Sequence, residues 1–189
     1  NSDGEFVSFV GAPRVAVDLI DLMWRKLMNK AQREANTQNV PTEYSSVFLD
    51  KDGFFYVTSR STNVSPIGRL NTQGVDVFRQ SNFSKSGAVG DMLYKTVDGA
   101  KVNSTFTDIV VKDNGVSYSL DSTNGRIFCY SAEGDLLYVF GSSGSLDGLF
   151  QSPVSLELVG DDLYVVDQRK NCIYCFSQTP FGASIEKAV

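Results

Sequence analysis

The side chains able to do chemistry in this chain are few, and histidine is not among them. Without it there is no Ser-His or Cys-His nucleophile, no imidazole-bound zinc and no base titrating near neutral pH, which leaves carboxylate, Lys, Tyr and Cys chemistry. Cys172 and Cys175 form a C-x-x-C pair, but strand residues three apart point to opposite faces, and no second pair completes a zinc site. Asp50-Lys51-Asp52-Gly53 has the start of a calcium loop; its Gly comes too early and no Glu stands at the twelfth place, so a β-turn is expected. Asp121, Asn124 and Arg126 make a compact polar group, and Asp167, Arg169, Lys170 and Asn171 occupy the matching stretch downstream. Two readings stay open for them. Asp and Asn can cap the backbone of a turn while Arg pairs with a carboxylate, or the loops together can form a polar binding rim.

The elements that must position these residues are repeats. Tyr118 to Ile127 (YSLDSTNGRI) aligns without a gap on Tyr164 to Ile173 (YVVDQRKNCI), and a weaker copy starts at Tyr56 and restarts at Ile67. Each copy reads as an apolar strand, a polar turn and a second strand. Asn-Gly at 114–115 and 124–125 and Glu-Gly at 133–134 separate β-rich runs at 106–111, 116–120, 126–131 and 135–140, which predicts a four-stranded antiparallel meander. A later unit supplies strands at 153–158, 162–166 and 172–176 and stops after three; an earlier one supplies 46–50, 54–59, 67–70 and 75–79. Cys129 and Cys175 fall at equivalent positions and read as small buried hydrophobes.

Serial four-stranded sheets at this spacing predict an all-β fold, a β-propeller of about three blades with one helical insertion. The expected organisation is one partial propeller over 1–189. It comprises a last strand at 1–10, the helical insertion at 14–40, a blade at 41–80, an insertion at 81–104, a blade at 105–141 and three strands of a blade at 150–178. The helix follows from Ile20, Met23, Trp24, Leu27, Met28 and Ala31 recurring along one face. The opening NSDG fits the turn before a last strand, so the chain is expected to begin within a repeat. An open half-ring would expose apolar flanks and strand edges, which a second copy or an N-terminal propeller half would cover.

A net charge of −5, with 13 Asp/Glu against 8 Lys/Arg beyond residue 80, argues against a nucleic-acid partner. No apolar run is long enough to span a bilayer as a helix.

Asp121 to Ile127, set between aromatic strands and followed by a Gly turn, resembles the NHL repeat, and the chain as a whole is similar to the C-terminal half of six-bladed bacterial NHL propellers annotated by analogy with gluconolactonases. The copy at Asp167 departs from the pattern, with Lys170 and Cys172 where Asn and Arg are expected, and the copy at Ser59 lacks the Asp. The resemblance implies an extracellular or cell-envelope setting and no established activity; the absence of histidine, the lack of convergent carboxylates and the fold's use as a platform favour a non-catalytic module that binds a protein or glycan, with no cofactor. The alternative it implies is a metal-dependent sugar-lactone hydrolase. Calcium or another divalent ion would then sit at the channel mouth on Glu43 and Asp108, both near the start of an innermost strand, with further ligands from a missing half.

Overall fold

The computed structural model describes residues 10, 43–60, 65–78, 89–90, 94–97 and 100–188. The expected helix at 14–40 and the strand at 1–10, Val10 apart, lie outside the described residues. The chain divides into units Asn1–Thr42 and Glu43–Val189, and the described residues other than Val10 belong to the second.

That unit is all-β, a series of propeller-like antiparallel blades. Strands β1 (Tyr44–Leu49), β2 (Phe55–Ser59) and β3 (Ile67–Leu70) form the first blade. A hairpin of β4 (Tyr94–Val97) and β5 (Ala100–Asn103) follows within the expected insertion. The second blade is the complete meander β6 (Phe106–Val111), β7 (Ser117–Asp121), β8 (Arg126–Tyr130) and β9 (Leu136–Phe140). The third has β10 (Pro153–Val159), β11 (Asp162–Asp167) and β12 (Cys172–Phe176), after which the short helix α1 (Pro180–Glu186) closes the described chain.

Of the fourth strand expected at 75–79 in the first blade, the described residues 75–78 form a single bridge, between Leu70 and Asp76. The Asp76 carboxylate explains this. Its Oδ1 accepts from the Arg69 N–H at 3.2 Å and the Phe78 N–H at 3.0 Å, taking donors that a longer ladder needs.

Alternation along each strand gives the blades two faces. On one face of the second blade, Phe106, Ile109, Val111, Phe128 and Tyr130 share a buried cluster with Tyr56 and Ile67 of the first. On the other, Tyr118, Leu120, Ile127 and Cys129 share a cluster with Leu156, Leu163 and Val165 of the third. Stacked faces, each side chain contributing about 1.5–3 kcal/mol when fully buried, hold the blades side by side.

The register repeats as well. Each innermost strand bulges at the same place: between Tyr44 and Ser46, Phe106 and Asp108, and Pro153 and Ser155. Ser46, Asp108 and Ser155 are thereby equivalent, as are Ser59, Asp121 and Asp167, each opposite the residue before the bulge.

Candidate functional site

Asp121 and Asp167 end the second strand of their blades and turn inward, fully buried. Asp121 Oδ1 accepts from the backbone N–H groups of Thr105 (3.0 Å), Thr123 (3.1 Å) and Asn124 (3.1 Å), and its Oδ2 accepts from Asn124 Nδ2 at 2.9 Å. Asp167 accepts from the N–H groups of Gln151 (2.7 Å), Ser152, Arg169 and Lys170 (each 3.1 Å). Both carboxylates therefore fasten the entry to their blade to its own turn. Burial alone raises the Asp167 pKa, and the four backbone donors outweigh it, leaving the group below its ordinary value. Its contribution to stability is complete above the unfolded Asp pKa of about 3.9 and is lost as pH falls through the lower folded value. Asp121→Ala should destabilise the protein by about 2 kcal/mol, the upper end for losing a capping side chain, since three backbone donors lose their acceptor. Thermal melts at pH 7 check this; a midpoint unchanged from the parent refutes it.

The other residues of these turns divide. Asn124 is buried and bonded to Asp121, whereas Arg126 is half-exposed and forms no ion pair with a carboxylate among the described residues. Lys170, the counterpart of Asn124, reaches across to the loop at 142–150: its Nζ donates to the carbonyls of Leu146 (2.7 Å) and Leu149 (2.9 Å) and to the Tyr174 hydroxyl (3.0 Å). Asn171 takes the left-handed conformation (φ 52°) that Gly125 takes one blade earlier (φ 63°), as a short amide side chain can. Gly125 abuts the same loop, since a Cβ there would lie 3.0 Å from the Ser143 nitrogen. Both turns thus border one loop, and around it Leu146, Arg169 and Asn171 are exposed.

Asp108 Oδ1 accepts from Ser46 Oγ (2.5 Å) and the Ile109 N–H (3.0 Å), while Oδ2 accepts from Ser155 Oγ and the Leu156 N–H (both 2.8 Å). One carboxylate so ties the innermost strands of three blades. Glu43 is exposed, and its backbone carbonyl accepts from Ser59 Oγ at 2.9 Å. Among the described residues no three Asp, Glu or Cys side chains converge as a metal site. The DKDG stretch is the turn expected of it, with Asp50 Oδ1 accepting from the N–H groups of Asp52 (2.9 Å) and Phe54 (2.8 Å).

A second polar centre escaped the sequence reading. Glu186 at the end of α1 is buried, and its carboxylate accepts from the hydroxyls of Tyr118 and Tyr138 (2.6 Å to the latter) and from Lys112 Nζ at 2.9 Å. Burial acts to raise its pKa, but these donors prevail and hold it below the ordinary Glu value. Tyr118 and Tyr138 are pushed far up, chiefly by burial and then by their bonds to Glu186. Burial likewise drives the Cys129 thiol to about 12, so it is no thiolate nucleophile at neutral pH. Beside this centre lies a cleft of about 340 Å³ lined by Tyr138, Phe140, Phe176 and Phe181, the last exposed. The available signal was Thr179-Pro180: Thr179 Oγ1 accepts from the Gly182 N–H at 3.2 Å, and Pro180 opens the helix.

No protein-family model matches this chain, and no curated protein matches it. Among solved structures it is similar to the computationally designed Ika4 protein, at 11% identity over 76% of this chain and 96% of that one, with a TM-score of 0.38. It is also similar to a catalytically inactive virginiamycin B lyase from Staphylococcus aureus solved with quinupristin, at 13% identity over 77% of this chain and a TM-score of 0.36. A streptogramin B lyase stands at 13% identity, 77% coverage and a TM-score of 0.35. The chain spans 59% and 58% of the lengths of these two lyases. None of these likenesses is specific to the NHL repeat, and the all-β, propeller-like fold rests on the antiparallel blades themselves.

Proposed function

We propose that this chain is a non-catalytic interaction module that presents the rim around residues 142–150, flanked by the turns at 121–126 and 167–171, to a protein or glycan partner in an extracellular or envelope setting. The observation that carries this reading is where the reactive groups stand. Asp108, Asp121, Asp167, Lys170 and Glu186 are each bonded into the scaffold, and the Cys129 thiol is buried and protonated. What the loop offers instead is a rigidly tethered surface: Leu146, Arg169 and Asn171 exposed, and Arg126 half-exposed. A lactone hydrolase is disfavoured because the Asp108 oxygens already accept four hydrogen bonds.

Screening the intact chain against a glycan array and a displayed peptide library tests the module. Hits should lose roughly tenfold or more in affinity with Leu146→Asp or Arg169→Glu, as for a central interface residue, while the melting midpoint stays put. Hydrolysis of a sugar lactone above the uncatalysed rate, dependent on added calcium and lost in Asp108→Ala, would overturn it.

A further inference from the structure

The repeat makes the outer faces of the first and third blades comparable, position by position, with faces buried inside the stack. In the second blade Phe106, Ile109 and Val111 are 1%, 1% and 7% exposed, covered by the first blade. Their counterparts by bulge and register in the first blade are Tyr44, Val47 and Leu49, which are 40%, 63% and 58% exposed. The opposite face behaves the same way. Leu120 and Ile127 are fully buried under the third blade, and Cys129 with them. Their counterparts on the third blade are Val166, Ile173 and Cys175, of which Ile173 is 66% exposed and Cys175 is exposed. These strand positions are thus apolar in each blade and covered where a neighbouring blade exists, whereas Val57 and Leu70, on the same face of the first blade as Val47, are already covered at 5% exposure each, which leaves the innermost strand β1 as its bare part. Single exposed apolar side chains need no explanation, but two repeat-matched sets on opposite ends of one stack do.

The geometry points to a second copy of this chain as the occupant of both faces. Each internal interface joins one kind of face to the other kind: the second blade's Ile109 shares a cluster with Ile67 of the first, and the third blade's Leu156 shares one with Ile127 of the second. Continuing that rule, the first blade's Val47 seats on Ile173 of another third blade. One chain carries both halves of the joint, so two copies related by a two-fold axis satisfy both at once, each giving its first blade to the other's third. This inference is independent of the rim.

Light scattering on the eluting intact chain should give twice its 20.7 kDa mass at micromolar concentration. Val47→Asp alone and Ile173→Lys alone should each elute as monomer, with circular dichroism unchanged because both side chains are exposed. Mixing the two variants should restore the pair, since one joint then sets Asp against Lys and the other is unaltered. Cys175 should alkylate slowly in the parent and faster in either variant. A parent that stays monomeric overturns the proposal, whether its faces are then bare or await further blades of a longer chain. So do a dimer that survives both substitutions, a mixture that remains monomeric, and assemblies larger than two copies.

Discussion

Asp108→Ala should lower the unfolding free energy by about 3 kcal/mol, the upper end for leaving donors without their acceptor, because four donors from three blades lose it at once. The loss is large because Ser46, Ser155 and the Leu156 N–H reach Asp108 from the blades on either side. The Leu156 and Ile109 N–H groups lose their carboxylate acceptor in the variant. Asp108→Asn should recover part of the loss and no more, since its amide nitrogen can only donate where the carboxylate accepted on both sides. At about 2–4 °C per kcal/mol for a chain of this size, the alanine variant should melt roughly 6–12 °C below the parent. A second measurement separates architecture from metal binding. In double-mutant cycles with Ser46→Ala and Ser155→Ala, Asp108→Ala should couple to both by about 0.5–3 kcal/mol, without added calcium. Additive variants, or a parent midpoint that rises with micromolar calcium and loses that rise in Asp108→Ala, would show that the carboxylate is free for a ligand.

Local chemistry made most of this fold legible. The four strands of the second blade follow from the Asn-Gly and Glu-Gly turns, because short hairpins encode their own register, and the capping by Asp121 and Asp167 follows from residues adjacent in sequence. What depends on a neighbouring blade was hidden. The sequence gives the place of Asp108 on an innermost strand but not the two serines, 62 and 47 residues away, that its oxygens meet. The turn at 167–171 places Lys170 at the rim, and no repeat alignment predicts the loop that its ammonium tethers. The strand expected at 75–79 failed for a different reason: its alternation is apolar enough, but the Asp76 side chain competes for the ladder's donors. Helix α1 is seven residues long, shorter than the window in which helical periodicity is readable, and only its cap announces it.

The same hidden helix supplies the last expected result: Glu186→Leu should destabilise the protein by about 3 kcal/mol, because it leaves Lys112 charged in a pocket built for a carboxylate. Comparison with the first blade shows how specific that pocket is. There Asp50 and Arg69, 3.7 Å apart, are contributed by one blade, with Arg69 over the Phe54 and Tyr56 rings. In the second blade the position of Asp50 holds Lys112, over the Tyr118 ring, and the position of Arg69 holds Cys129. A cation thus stands where the first blade has its anion, and the compensating carboxylate arrives from α1 at the far end of the described chain. Lys112→Met should therefore rescue Glu186→Leu in part, with a coupling of about 1–3 kcal/mol between the two sites. The pH dependence has a definite sign. Because the folded Glu186 carboxyl titrates below its unfolded value, its contribution is complete above about pH 4.3 and is lost as pH falls through the folded pKa. Acid should consequently narrow the gap between parent and Glu186→Gln, which lacks the titrating group. Hydrogen exchange gives the local readout: amides of residues 183–188 should open faster in Glu186→Leu by local opening, while those of β7 and β8 should quicken only as far as the lowered global stability allows. Equal exchange in parent and variant, with additive stabilities for Lys112→Met and Glu186→Leu, would mean that the ion pair does not hold the helix.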